Sequence, residues 1–221
     1  MTGFIHRRKY KWQLFFFGTS GGCLDAFYLY RENFPKDDQL QILSDEYKPG
    51  ENFLNFRVKG SFKLIQNSEF QHSHFVYQCG SVKNHKERNL WFEKAISHKM
   101  IPVTIISHLA YVHHTASIGK GSIIYPGVKV MANVKIGTNC VILPNSVINH
   151  DSIVNDFSII NSLCVINGNV NISYNSYIGS MSSIKEGVFI APKTTIGMSS
   201  VVLSDLRETG LYYGSPAKKK Y

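Results

Sequence analysis

The sequence predicts a small parallel α/β domain followed by a parallel β-helix of hexapeptide repeats. Three observations carry this. An aliphatic residue recurs at every sixth position from Val112 through Ile118, Ile124, Val130, Ile136, Ile142, Ile148, Val154, Ile160, Ile166, Ile172, Ile178, Ile184, Ile190 and Ile196 to Val202. A small residue stands two positions before each, from Ala110, Ala116 and Ser122 through Val128, Val134, Cys140, Ser146 and Ser152 to Ser200. No helical period gives a six. A large residue filling an axis and a small one fitting a bend describe a three-sided prism with three short strands per turn. Each inward aliphatic is worth ~1.5–3 kcal/mol relative to exposure. It is buried only against a stacked neighbour, so stability is a sum of coil-to-coil terms. The third observation is that the chain up to about residue 106 alternates strand-like apolar runs with stretches that suit helices.

Residues 1–12 read as a basic extension containing His6-Arg7-Arg8-Lys9-Tyr10-Lys11. Trp12 to Phe17 is a buried strand, followed by Gly18-Thr19-Ser20-Gly21-Gly22 and a helical stretch from Leu24 to Tyr30. Strand, glycine turn and helix form the geometry in which backbone amides cradle a phosphate. A plain tight turn fits the same residues, because the full GxGxxG spacing is missing. Leu40 to Leu43 is a second strand ending in Ser44-Asp45-Glu46. Acidic residues there hold a ribose or base in such units, or form a solvated loop. Residues 47–73 are polar with scattered aromatics and receive no assignment. His74 to Gly80 is a strand ending in glycine. Asn84 to Met100 is a helix with Leu90, Trp91, Ile96 and Met100 as core candidates, and Val103 to Ile106 is a last strand before the coil. The expected domains are therefore 13–106 and 107–205, with a tail over 206–221.

The length of 221 residues allows one or two domains. An apolar share of 43% and a charged share of 18% are ordinary for a globular chain. The net charge of +9 suits nucleic acid, a membrane surface or small anions. The basic residues are dispersed except at the two ends, which favours small phosphorylated ligands over nucleic acid. Cys23, Cys79, Cys140 and Cys164 make no CxxC or zinc spacing, and the last two fall at the small-residue phase. They read as packed thiols in a reducing compartment. No run reaches transmembrane length, and the apolar stretch after the basic start is too short for a signal peptide. A cytoplasmic protein without membrane contact is expected.

Two histidines lie on the coil outside its buried phase. His114 and His150 are two full coils apart on one edge, on the order of 10 Å from each other. A zinc site shared between subunits needs a third histidine near position 155, which is Asn155. Three protein ligands are the usual minimum, so no metal is expected. His150 is followed by Asp151. An imidazole steered by a carboxylate is a general base near neutral pH; an exposed corner histidine beside an acid is the plainer alternative.

Taken in order, these motifs make the chain resemble the nucleotide-sugar acetyltransferases of bacterial surface-glycan pathways, relatives of the sialic acid O-acetyltransferases, over residues 13 to 221. The resemblance implies a Rossmann-like nucleotide-sugar domain and a left-handed hand for the coil, against the usual right-handed crossover rule. It implies that Gly18, Ser20, Gly21 and Gly22 form the nucleotide loop, and that Asp45 and Glu46 contact the base. It implies His150 with Asp151 as the catalytic pair. Gly168, in Asn167-Gly168-Asn169-Val170, would hold the acetyl carbonyl. Gly179 and Ser180, with Pro216 and Lys218 of the closing Gly214-Ser215-Pro216-Ala217-Lys218, would line the groove for acetyl-CoA, a co-substrate rather than a bound cofactor. Where the family often has a second histidine beside the thioester, this chain has Ile159.

The implied assembly is a homotrimer with active sites between subunits. The implied reaction is N-acetylation of a UDP- or dTDP-linked amino-dideoxy sugar, with the 4-amino position favoured. O-acetylation of a sugar hydroxyl and a non-catalytic trimeric nucleotide-sugar-binding scaffold stand as alternatives.

Overall fold

A computed structural model describes residues 13–18, 21–35, 40–78 and 88–220. The basic extension, Ser20, Cys79 and the first residues of the second expected helix lie outside the described residues.

The N-terminal unit contains β1 (Leu14–Phe17), α1 (Gly21–Asn33), β2 (Leu40–Leu43), β3 (Asn52–Phe53), β4 (Phe56–Gly60), β5 (His74–Tyr77), α2 (Arg88–Ser97) and β6 (Ile101–Pro102). They make one sheet in the order β3-β4-β2-β1-β5-β6. Only β3 runs antiparallel to its neighbour; the other pairs are parallel. The central strand β1 is apolar throughout because both its faces are covered. Phe16 packs at 5.6 Å from Phe27 and 5.5 Å from Tyr30 of α1. Phe15 and Phe17 point the other way, onto Phe70 and Phe75.

Three local expectations change. Residues 47–73 form the β3–β4 hairpin and two short 3-10 turns, which bury Phe62, Ile65 and Phe70. A 3-10 turn repeats every three residues, so its aromatics match neither helical nor strand periodicity. In α2 the core face is only partly the one expected: Trp91 packs half-buried against the core, but Leu90 and Ile96 do not. Phe92 and Ala95 are buried together with Met100, whereas Leu90 is 61% exposed and Ile96 also faces outward. Positions three apart share a helix face, and the pair at 92 and 95 wins the sheet. The strand expected at 103–106 is shorter and lies in the solenoid, and a separate strand precedes it. Ile101–Pro102 joins the N-terminal sheet, and Ile105–Ile106 is already the first strand of the solenoid, paired with Ile123–Ile124.

From there the chain is a parallel β-solenoid. Until the last coil, each two-residue strand pairs with the strand eighteen residues on, as Ile123 does with Val141, Val141 with Ile159 and Ile159 with Tyr177. Three such stacks form three faces. The first starts at Ile105–Ile106, the second at Tyr111–Val112 and the third at Ser117–Ile118. The periodic aliphatics from Ile124 to Val202 are all buried on the axis. Val112 and Ile118 are only half-buried, because an end coil is stacked on one side instead of two.

The small-residue phase does more than fit the corner. Ser122, Ser146, Ser152, Ser158 and Ser182 each donate a hydroxyl to a carbonyl fifteen residues on and accept the backbone N–H eighteen residues on. Serine thus satisfies backbone groups that the bends would otherwise strand in the interior. One further residue per corner takes a left-handed backbone, including Asn133, Asn139, Asn145, Asp151, Asn169 and Asn175. Asn and Asp tolerate that region best after glycine. At the end, Leu206 bridges Ile190, and Leu211–Tyr213 and Lys218–Lys219 form an antiparallel pair over the last coil.

The two units share one apolar cluster. Outward residues Ile105, Ile123, Val141 and Ile159 of the first face are all buried, in the same cluster as Leu14, Phe16, Phe27 and Tyr30. The Tyr125 hydroxyl donates to the carbonyl of Gly22 at 3.4 Å, and Phe92 meets Phe157 with ring centroids 5.6 Å apart. Among the described residues, no helix is long and apolar enough to cross a membrane.

Candidate active site

The edge between the second and third faces carries His150. The residues before it, Val147–Ile148, form a second-face strand, and Ile148 is drawn onto the axis. The chain then turns, leaving His150 and Asp151 outside with side chains 56% and 44% exposed. Asp151 has φ of 61° and its N–H donates to the carbonyl of Ala132 one coil below. His150 Nδ1 lies 2.8 Å from Asp151 Oδ2. An ionised carboxylate only accepts, so the proton of this bond sits on Nδ1 and the neutral ring presents the Nε2 lone pair outward.

The ring rests on Gly168 one coil above. A methyl group at Gly168 would come within 2.6 Å of His150 Cε1 and 2.7 Å of Nε2. The N–H of Asn169 donates to the His150 carbonyl at 3.0 Å, locking the two turns in register. His114 stands on this edge two coils below, as the strand pairings of Tyr111 with Lys129 and Lys129 with Val147 require. Its ring lies against that of His113, with centroids 4.3 Å apart and the planes tilted by 33°. Among the described residues, no group of three or more histidines, cysteines or carboxylates forms a metal cluster.

Asp151 is held from below as well. Asn133 Nδ2 donates to Asp151 Oδ1 at 3.0 Å. This bond first, and the one from His150 second, hold the Asp151 carboxyl below its usual range. Asn133 was not singled out in the sequence. Its contact depends on coil register, because it lies eighteen residues before Asp151.

The other sequence-singled residues lie on a different edge, between the first and second faces, or in the N-terminal unit. Gly179 sits where a side chain would strike the backbone of Gly197 and Met198. Ser180 accepts the N–H of Ser199 at 2.8 Å, and the Ser200 hydroxyl accepts the N–H of Gly214. Pro216 and Lys218 are exposed beyond it, and Ala217 is tied to Val201. Gly179, Ser180 and the tail therefore run along one continuous edge. Ile159 is 2% exposed and faces the joint between the two units; its side chain belongs to the apolar cluster there.

Gly18, with φ of 109°, ends β1 and donates to the Leu43 carbonyl. Gly21 and Gly22 open α1. Gln78, at the end of β5, is a residue that the sequence reading missed. Its buried amide lies over Gly22, where any Cβ would come within 2.7 Å of it. Its only sequence signal is a polar residue ending an apolar strand. Asp45 Oδ1 accepts from the Ser61 hydroxyl at 2.5 Å and from the Phe62 N–H at 3.1 Å, which fixes the carboxylate beside the first 3-10 turn. Glu46 donates its N–H to Ser44 Oγ. Cys140 and Cys164 are buried at coil corners, and burial pushes the Cys164 thiol up to about 11, so neither is a ready nucleophile.

Comparison with known proteins bears on this geometry. Residues 100–208 match the family described as the GMPPB C-terminal domain. No curated protein matches the sequence significantly. Among solved structures, the acetyltransferase domain of PglB from Neisseria gonorrhoeae superposes with a TM-score of 0.83 at 22% identity, over 94% of this chain and 99% of that one. A GDP-perosamine N-acetyltransferase from Caulobacter crescentus, solved with CoA and GDP-perosamine, gives 0.85 at 21% identity over 96% and 98%. WeeI from Acinetobacter baumannii gives 0.84 at 21% over 94% and 99%. The chain has their fold. The likeness extends through both units, the N-terminal sheet as well as the solenoid, with almost no part of either chain left over.

Proposed function

We propose that the protein is an acetyl-CoA-dependent N-acetyltransferase acting on the amino group of a nucleotide-linked amino-dideoxy sugar. The observation that carries this reading is the His150–Asp151 pair, with its Nε2 directed outward over the backbone of Gly168. In the proposed reaction His150 Nε2 takes a proton from the sugar amine as its nitrogen attacks the thioester carbonyl. The C–N bond forms, the C–S bond breaks, and the proton ends on the departing coenzyme A sulfur or in solvent. The Gly168 amide stabilises the oxyanion. Asp151 keeps the proton on Nδ1 throughout. Nothing in this sequence of steps requires a covalent enzyme intermediate.

Residues 13–106 serve as the nucleotide-sugar domain, Rossmann-like in having β1 central, with Gly18 after β1 and Gly21 and Gly22 opening α1. Gly18, Ser20, Gly21 and Gly22 hold the pyrophosphate, and Asp45 and Glu46 the base. Residues 107–205, a left-handed coil on this reading, and the tail over 206–221 supply the donor groove through Gly179, Ser180, Pro216 and Lys218; Ile159, expected beside the acetyl-CoA, is instead packed into the joint between the two units. The substrate expected from the sequence is UDP- or dTDP-linked with a 4-amino group.

A homotrimer completes the site. Gly22, Gly179 and Ser180 lie towards one edge of the second face, and His150 with Gly168 lies on the other. A neighbouring copy packed on this face brings the two sets together. Exposed Tyr111, Leu163, Val165 and Met181 on and beside it form the apolar surface such a contact needs.

The test is thiol release from acetyl-CoA with UDP-, dTDP- and GDP-linked 3-amino and 4-amino sugars, with His150→Ala beside the wild type. Turnover of one amino sugar that is lost in the variant supports the reading. Turnover that survives sinks the role of His150. Silence with coenzyme A still bound points to a hydroxyl acceptor, and silence without binding points to a scaffold.

A further inference from the structure

The corner that carries His150 is braced by residues of two lower coils. Asn133 and Asp151 are eighteen residues apart and so sit one above the other on the same edge, as do Thr115 and Asn133. The Asn133 side-chain amide donates to Asp151 Oδ1 at 3.0 Å, leaving Oδ2 to accept from His150 Nδ1 at 2.8 Å. Asn133 is in turn held from below, its backbone N–H donating to Thr115 Oγ1 at 2.8 Å. The Thr115 hydroxyl lies 2.9 Å from His113 Nδ1. That nitrogen also takes the Thr115 N–H at 3.3 Å, so it is the acceptor of both. The result is an unbroken polar column, His113–Thr115–Asn133–Asp151–His150, running up one edge of the solenoid.

We propose that Asn133 is a positioning residue for His150, acting through Asp151. The inference rests on the acetyl-transfer reading only for its catalytic consequence; the positioning itself is a property of the folded chain. A carboxylate at a solvent-exposed corner has two equivalent oxygens and free rotation about χ2, and either oxygen can face the ring or turn away. A donor fixed on Oδ1 removes that freedom and commits Oδ2 to the imidazole. The proton is then held on Nδ1, and Nε2 keeps its lone pair for the substrate. Asn at this corner also has a backbone reason, since its φ is 58°. The two roles separate by substitution. Asn133→Gly keeps the left-handed backbone without strain and deletes the amide. Asn133→Asp keeps the shape and replaces the donor with a carboxylate facing Asp151.

The decisive measurement is 15N NMR of the His150 ring in wild type, Asn133→Gly and Asn133→Asp, at a pH where the ring is neutral. Thermal melts confirm that each variant folds. The wild type is expected to show the proton on Nδ1, and Asn133→Gly a mixture of tautomers. In the acetyl-transfer assay, Asn133→Gly is expected to lower kcat about tenfold, part of the ~10²–10⁴ that a general base supplies. KM for acetyl-CoA should stay within about twofold, since the side chain of Asn133 acts through Asp151. Asn133→Asp should lower kcat at least as far. An unchanged tautomer in Asn133→Gly overturns the positioning role, whatever the activity. A shifted tautomer in a chain that transfers no acetyl group upholds the positioning and overturns the function proposed above.

Discussion

At the scale of single residues, His150 depends on what stands directly above and below it. Above is Gly168, whose lack of a side chain lets the ring lie against the backbone of the next coil. Gly168→Ala places a methyl where the imidazole sits, and the side chain must rotate off its contact with Asp151. The expected outcome is a kcat about tenfold lower or worse, with a melting temperature close to wild type, because the displaced ring is exposed; steady-state kinetics beside a thermal melt check it. Beside it is Asp151, whose carboxyl is held under the usual range by Asn133 of the coil below first and by His150 second. A depressed folded pKa means the hydrogen-bonded carboxylate, and the stability it contributes, is fully present above the ordinary carboxylate value of 3.8 and is lost only as pH falls through the lower folded value. A 13C titration of the Asp151 carboxyl should therefore have its midpoint below 3.8, and Asn133→Gly should move that midpoint upward.

At the scale of the coil, stability and site geometry have one source. Parallel pairing at eighteen-residue intervals puts an aliphatic on the axis, a serine at the bend and a left-handed residue at the corner of successive turns. Because each coil touches only its neighbours, damage is local in energy yet transmitted in register. Ile166 is fully buried one coil above Ile148. Ile166→Ala should destabilise the chain by about 2–5 kcal/mol, measured by denaturant unfolding, and should loosen the turn that carries Gly168. A substitution of equal size at Ile196, nearer the far end of the solenoid, should cost similar stability while leaving His150 undisturbed, a difference visible in its ring resonances.

At the scale of the molecule, the outward residues of the three faces divide the labour. The first face is capped by the N-terminal unit through Ile105, Ile123, Val141 and Ile159. The second face leaves Tyr111 and Val165 exposed, flanked by Leu163 and Met181, with His150 on one edge and Gly22, Gly179 and Ser180 towards the other. If a neighbouring copy completes each site, two inactive variants should rescue one another. Subunits carrying His150→Ala, unfolded and refolded with subunits carrying Gly22→Gln, should regain activity at about a quarter of the sites. Gly22→Gln is chosen because any side chain there meets Gln78. The assay reads thiol release from the mixture against each variant alone, with the oligomer mass measured in parallel. A monomeric mass, or a mixture as silent as its parts, removes the shared site.

Much of this was legible in the chain itself. A strict six-residue period of aliphatics fits neither a helix nor a simple strand but a three-sided coil, so the coil, its axis residues and the shared edge of His114 and His150 follow from the sequence alone. So does the adjacency of His150 and Asp151, which are neighbours in the backbone. Periodicity speaks only for what faces the axis, however. Which face meets the N-terminal unit, why Phe92 and Ala95 displace Leu90 and Ile96 in α2, and where β6 ends and the solenoid begins are decided by packing between elements. The same holds for the contacts that prepare the site. Asn133 reaches Asp151, and Gly168 makes room for His150, only because eighteen residues of chain return to the same edge. Such contacts join residues that are distant in sequence, and only the stacked tertiary structure brings them together.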